Sequence, residues 1–217
     1  MQKPFSIRNL NGGVRRLVVE FRRAKAILAT LLFATHKRRW KKVAFSGRPP
    51  WDMRNEKIAG FIPDGSSVID LGCGAQTLRD HLGPSCSYQP CDLVKSTSDV
   101  IVCDFNAGAY PAVGKRFTHV VCSGVLEYIQ DHHKFLKLSS SLGDNLVLSY
   151  NLRLPGDSKL QRMTNNWINH FSRVELESIF GEALLSAECL DTSETGEVIY
   201  WLKPSSGGIQ IGNDPNK

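Results

Sequence analysis

Acidic residues are nearly missing from the first fifty positions of this 217-residue chain, where Glu20 stands alone against thirteen Lys and Arg. Residues 1–50 therefore carry a formal charge of +12, whereas 51–217, with fourteen bases and twenty acids, carry −6. The net +6 hides a basic arm on an acidic body. Such an arm points to an anionic partner: membrane lipid, nucleic acid or an acidic protein surface. Long apolar runs are also missing. The longest candidate, AILATLLFA at 26–34, falls short of the about 20 residues that span a bilayer. No early apolar stretch with a small-residue cleavage site marks a signal peptide. None of the six cysteines forms a CxxC pair, and no histidine–cysteine cluster has zinc spacing, so no metal site is expected. Cys103 and Cys122 lie in apolar, strand-like runs. Buried free thiols in a reducing, cytoplasmic setting are the expectation. Internal repeats are absent.

Three regions are present instead. From Val14, apolar residues recur at helical spacing (Leu17, Val18, Phe21, Leu28, Leu31, Leu32), with Arg15, Arg16, Arg22, Arg23 and Lys25 mostly off that stripe. The pattern predicts a basic amphipathic helix over 14–42, broken by SGRPP at 46–50, because consecutive prolines cannot sit in a helix interior. Residues 1–50 are thus an N-terminal extension. Over 51–203, strand and helix signals alternate, which predicts a mostly parallel sheet covered on both faces. NWINHFSRVELESIFGEA reads as a late helix. Two closing strands, LLSAECLDT and GEVIYWLKP, lack a crossover helix and predict an antiparallel hairpin. Residues 204–217, rich in Gly, Ser and Asn, are expected to be disordered.

SSVIDLGCGAQTLRD (66–80) begins as a strand and ends as a helix. Gly72 and Gly74 remove the Cβ atoms that would keep a ligand from the chain. The turn has no Lys-Ser/Thr pair, which excludes a Walker A loop, and Thr77 stands where a dinucleotide fingerprint needs its third glycine. Asp70 would repel a pyrophosphate but can hold an α-ammonium. That favours S-adenosylmethionine, a nucleoside joined to an amino acid. Asp92 follows by 22 residues, where an acid takes ribose hydroxyls. Asp104 ends the third strand and can accept the adenine amino group, with Phe105 packed on the ring. Each acid alone could equally be a helix cap or turn residue.

VIDLGCGAQTL, CDLV, DVIVCDFN, FTHVVCSGVLEYIQD and NHFSRVELESIF together resemble the class I S-adenosylmethionine-dependent methyltransferases, across roughly 51–203. The resemblance implies an α/β, Rossmann-like three-layer sandwich whose seven-stranded sheet has the order 3-2-1-4-5-7-6, strand 7 antiparallel. It implies Asp70, Gly72, Cys73 and Gly74 around the methionine part, Asp92 and Leu93 at the ribose, and Asp104 and Phe105 near adenine. Ser123 would line the cofactor at the exit of strand four. Gln76 occupies a place where many members carry a third glycine, so its side chain could narrow the pocket or bond the cofactor carboxylate.

Methyl transfer needs alignment and, for some acceptors, a base. Candidates after strands four and five are Glu127, Tyr128, His132, His133, Tyr150, Asn151 and His170, with His170 and Glu127 selected as the catalytic pair. The LEYI…NHFS…EL layout is similar to small methyltransferases of cell-surface polysaccharide and lipid-linked sugar pathways. The expected activity is therefore methyl transfer to an oxygen of a small-molecule, glycan or lipid-linked acceptor, with residues 14–42 on an anionic membrane surface. A nucleic-acid methyltransferase and a catalytically silent cofactor-binding scaffold are the alternatives. No basic-aromatic stripe within the domain favours nucleic acid.

Overall fold

The computed structural model of the protein describes residues 12–32, Trp40 and 49–205. The expectations for 1–11, 33–39, 41–48 and the tail beyond 205 lie outside these residues.

One seven-stranded sheet organises the body in the order β3-β2-β1-β4-β5-β7-β6. The strands are β1 (Ser67–Leu71), β2 (Ser87–Asp92), β3 (Ile101–Val102), β4 (Phe117–Ser123), β5 (Gly143–Asn151), β6 (Leu185–Thr192) and β7 (Glu197–Pro204). β1 to β5 pair in parallel, whereas β7 runs antiparallel to both β5 and β6. The closing hairpin and the strand order match the sequence expectation.

Side chains alternate across the sheet and so feed two cores. On one face, Ile69, Leu71, Val120, Cys122, Leu146 and Leu148 pack with Phe135 and Leu136 of α4 (His132–Ser141) and Leu176 and Phe180 of α6 (Arg173–Glu182). On the other, Val68, Val121, Val147 and Ile199 pack with Ile58 and Ala59 of α2 (Pro49–Gly60) and Leu78 of α3 (Thr77–His81). The result is three layers. Pro49 and Pro50 form the first turn of α2 rather than a bare break. Proline is tolerated there because the first helical N–H groups have no intrahelical acceptor anyway.

The late helix differs from its sequence reading. A separate helix, α5, spans Lys159–Met163, and α6 starts only at Arg173. Ser172 caps α6 in a reciprocal capping box with Glu175, which fixes the start. Residues 164–171 between them form an irregular strap. All six cysteines are free.

α1 (Gly12–Leu31) covers the first part of the stretch 14–42 expected to be helical. It touches the body at its C-terminal end, where Thr30 is buried and its hydroxyl donates to the carbonyl of Met163 at 3.2 Å. Among the described residues no helix is long and apolar enough to cross a membrane.

Candidate active site

The loops after β1, β2, β3 and β4 open at one rim of the sheet, the carboxyl ends of the parallel strands, where open α/β sheets place ligands. Two adjoining clefts lie there. Measured to their mouths, open solvent included, they hold about 870 and 780 Å³. They share a wall made by Trp40, Gly72, Asp92, Gly124 and Tyr128.

The glycine turn leaves β1 in the left-handed region, with φ +85° at Gly72. A Cβ there would lie 2.4 Å from Cγ2 of Val125, so the close approach of the β1 and β4 loops requires glycine. The turn is tied to β2: the amides of Gly72 and Cys73 donate to the carbonyl of Cys91, and the Gly74 amide donates to Asp92 Oδ2 at 2.9 Å. Asp92 Oδ1 accepts the Val94 amide. Burial pushes the Asp92 carboxyl up, and these amides pull it back.

Asp70 is more exceptional. It is 2 % exposed, and Oδ2 accepts the Tyr88 hydroxyl at 2.6 Å. Oδ1 is buried with no hydrogen-bond partner. Burial above all pushes the carboxyl up to about 7, with Asp92 adding to the rise and Tyr88 and Arg54 opposing it. A carboxylate oxygen left bare in this way calls for a donor from outside the chain.

Arg54, on α2, is buried in the second cleft. Its Nε donates to Ser123 Oγ at 2.8 Å, its Nη2 to the Ser123 carbonyl, and its Nη1 to Glu197 Oε2 at 3.1 Å. Ser123 Oγ in turn donates to Asn55 Oδ1. Gly124, at φ +65°, lets the guanidinium lie where a Cβ would be 2.7 Å from it. Sequence reasoning missed Arg54. The available signal was its position one turn before Ile58, a lone cation on the buried face of a short helix.

Of the cofactor residues expected from sequence, the clefts bring together Asp70, Gly72, Cys73, Gly74, Asp92, Leu93, Asp104, Phe105 and Ser123. Asp104 also caps the short 3₁₀ turn at Phe105–Ala107, its side chain accepting the Ala107 amide. Phe105 packs on Tyr110 and Phe135. Gln76 lines neither cleft. It sits at φ +61°, the conformation in which glycine is usual, and its Nε2 donates to Thr97 Oγ1 at 2.6 Å.

Glu127 also lines the second cleft and is 1 % exposed. Its Oε1 accepts the main-chain and side-chain N–H groups of Asn151 at 3.0 and 2.9 Å, while Oε2 is buried without a partner. Tyr128 and Trp167 line the same cleft, the indole N–H donating to the Tyr128 hydroxyl at 3.1 Å. His170 lines neither cleft. Its Nδ1 faces Arg162 Nε at 3.4 Å, and burial, followed by Arg162, Lys159 and Arg153, pushes its pKa down. His132 packs edge-on against Phe171, and His133 faces Glu182 at the surface. Tyr150 is core, its hydroxyl accepting the Phe171 amide. Among the described residues no group of His, Cys, Asp and Glu is placed to hold a metal.

Neither family models nor curated protein sequences match the chain. Solved structures do resemble it. The pyocyanin biosynthetic protein PhzM is similar at a TM-score of 0.56 and 12% identity, over 70% of this chain and 54% of that one. A putative O-methyltransferase from Nostoc punctiforme is similar at 0.64 and 12%, over 82% and 66%. A 1,6-didemethyltoxoflavin-N1-methyltransferase from Burkholderia thailandensis, with bound 1,6-didemethyltoxoflavin and S-adenosylhomocysteine, is similar at 0.51 and 14%, over 94% and 93%. The chain spans about half the length of PhzM. Strand order and likeness together define the class: the chain has the class I S-adenosylmethionine-dependent methyltransferase fold.

Proposed function

We propose that the protein is an S-adenosylmethionine-dependent methyltransferase acting on an oxygen of a small-molecule, glycan or lipid-linked acceptor at a membrane surface. The observation that carries this reading is the bare, buried Oδ1 of Asp70 in the same cleft as the Arg54 guanidinium. A carboxylate and a guanidinium lining one cleft suit a zwitterion, taking the ammonium and the carboxylate of an amino acid respectively. Asp92, at the wall shared by both clefts, suits ribose hydroxyls. Asp104 and Phe105, in the other cleft, suit the adenine ring. S-adenosylmethionine, when bound, supplies an electrophilic methyl group with a neutral thioether as its leaving group.

The chain's own part is alignment and proton handling. Asp70 and Arg54 hold the amino-acid end, and the glycine turn lets the backbone approach it. Trp40, Trp51, Trp167 and Tyr128 line the second cleft. They offer flat faces on which a ring can stack, and they exclude water. Glu127 Oε2 is the base we assign, since it is unpartnered and lies in that cleft, whereas His170 lies outside it. It would accept the acceptor's hydroxyl proton while Asn151 holds Oε1.

The neighbours in the comparison act on different acceptors, so the oxygen acceptor and the membrane setting rest on this chain alone. The membrane setting rests on the basic, outward apolar helix α1. Mass spectrometry of small molecules released from the purified protein should find S-adenosylmethionine or S-adenosylhomocysteine. Asp92→Ala should weaken S-adenosylhomocysteine binding in calorimetry by about 1.5–3 kcal/mol per charge-assisted bond lost. Unchanged affinity would reject the ribose assignment.

A further inference from the structure

α1 has two ends with different surroundings. Its inner end belongs to the first cleft, which Ala29 and Thr30 line. Thr30 is buried, and its hydroxyl donates to the carbonyls of Ala26 and Met163. Asn166, also buried, donates from Nδ2 to the Ala26 carbonyl at 3.2 Å and to Thr30 Oγ1 at 3.1 Å.

Asn166 lies in the strap, at φ +63°. The next residues divide between the clefts: Trp167 lines the second and Ile168 the first. Asn169 Nδ2 then donates to the carbonyls of Leu126 and Ile129, at 2.7 Å each. The amides of Ile168 and Asn169 donate to the Glu127 carbonyl. The inner end of α1 and the loop after β4 are therefore held by one short segment that walls both clefts.

The outer face of α1 is different. Leu17, Phe21, Leu28 and Leu31 are 71, 71, 58 and 54 % exposed. At 3.6 residues per turn they fall on one side of the helix, roughly opposite Thr30. The helix also carries Arg15, Arg16, Arg22, Arg23 and Lys25 against Glu20, its one acid, which is already paired with Arg23 at 3.1 Å.

We infer that α1 couples an anionic lipid surface to the cofactor clefts: its outer face docks on the lipid, and its inner end, through Asn166, then holds the cleft wall closed. This rests on the cofactor and membrane readings above. Lipid fits the outer face better than the other occupants. A second copy packed on the stripe would leave the bases beside it without an anionic partner, and phosphate binding alone does not call for so continuous an apolar stripe. A basic amphipathic helix too charged to span a bilayer lies in its interface. Among the described residues, α1 is held only near its inner end, so the wall it supplies has low local stability. Fixing the outer face removes freedom that a bound ligand would otherwise have to quench. Linkage then requires that ligand and lipid strengthen each other by the same factor.

The test uses the full chain, S-adenosylhomocysteine, and vesicles of phosphatidylcholine with or without phosphatidylglycerol. Calorimetry should show affinity for S-adenosylhomocysteine rising about fivefold or more with the anionic vesicles, and not with phosphatidylcholine alone. Sedimentation should show the same factor gained in vesicle binding when S-adenosylhomocysteine is added. Phe21→Asp, a change at an exposed site, should abolish both gains while leaving affinity without vesicles unchanged. Asn166→Gly keeps the left-handed backbone and should bind vesicles without the gain. Vesicle binding with no change in S-adenosylhomocysteine affinity overturns the coupling and spares the membrane reading. Ligand binding without vesicle binding overturns both. Failure to bind S-adenosylhomocysteine under any condition overturns the cofactor reading and the coupling with it.

Discussion

Asp70 is caught between burial, which disfavours its charge, and a position at which a cation would need that charge. Its carboxyl is raised from the ordinary value near 4 to about 7, mainly by burial. Between those values the folded protein holds a proton that the unfolded chain has released. The empty protein therefore loses stability from this residue as pH rises through that window. A bound ammonium reverses the preference by stabilising the charged form. S-adenosylhomocysteine affinity should accordingly fall as pH drops below about 7, and binding near that pH should release a fraction of a proton. Calorimetry in two buffers of different ionisation heat measures the release, and Asp70→Asn should abolish it. A wild-type protein that releases none would place the ammonium elsewhere. At Gly72 the constraint is steric. Gly72→Ala drives a methyl group to 2.4 Å from Val125 at φ +85°. A destabilisation of about 1–3 kcal/mol is expected, and urea unfolding would measure it.

Among the elements, the central strands were legible because each carries a short apolar run bounded by turn residues, whereas the strand order came only from the family resemblance. The strap was not. Trp167, Ile168 and Phe171 have helix-like spacing, but Asn166 takes a left-handed backbone for its bonds to α1, and the Ser172 cap starts the helix only afterwards. Local periodicity carries neither fact. Ser172→Ala should remove the reciprocal cap at a cost of about 1 kcal/mol in denaturant unfolding, while Ser172→Asp should restore most of it. Equal losses in both variants would show that the cap contributes little.

For the whole molecule, the same division holds. Asp70, Asp92 and Asp104 could be placed at the clefts because they stand at or just past the ends of successive strands, with Gly72 and Gly74 in the turn after the first, a pattern written along the chain. Arg54, Trp40, Trp51, Trp167 and Thr30 reach the clefts only through tertiary packing, and no spacing announces them. That packing also predicts what the N-terminal region contributes. Both hydrophobic clusters are built from Ile58 onward, so a chain beginning at Pro49 should still melt cooperatively. It lacks the wall given by Ala29, Thr30 and Trp40, and calorimetry should find weaker S-adenosylhomocysteine binding. Full affinity in the shortened chain would show that this wall is dispensable.

The late position of β7 in the chain has a consequence for biosynthesis. β7 is made last among the strands, yet it sits between β5 and β6 and closes the far edge of β5. Until Glu197–Pro204 emerges, the row of N–H and C=O groups along β5 stays open beside the apolar side chains of Leu146, Val147 and Leu148. An unpaired apolar edge of this kind recruits other chains. A nascent chain stalled before Glu197, or a product cut there, would carry the whole glycine turn and all three strand-end acids and still be the form most prone to aggregate.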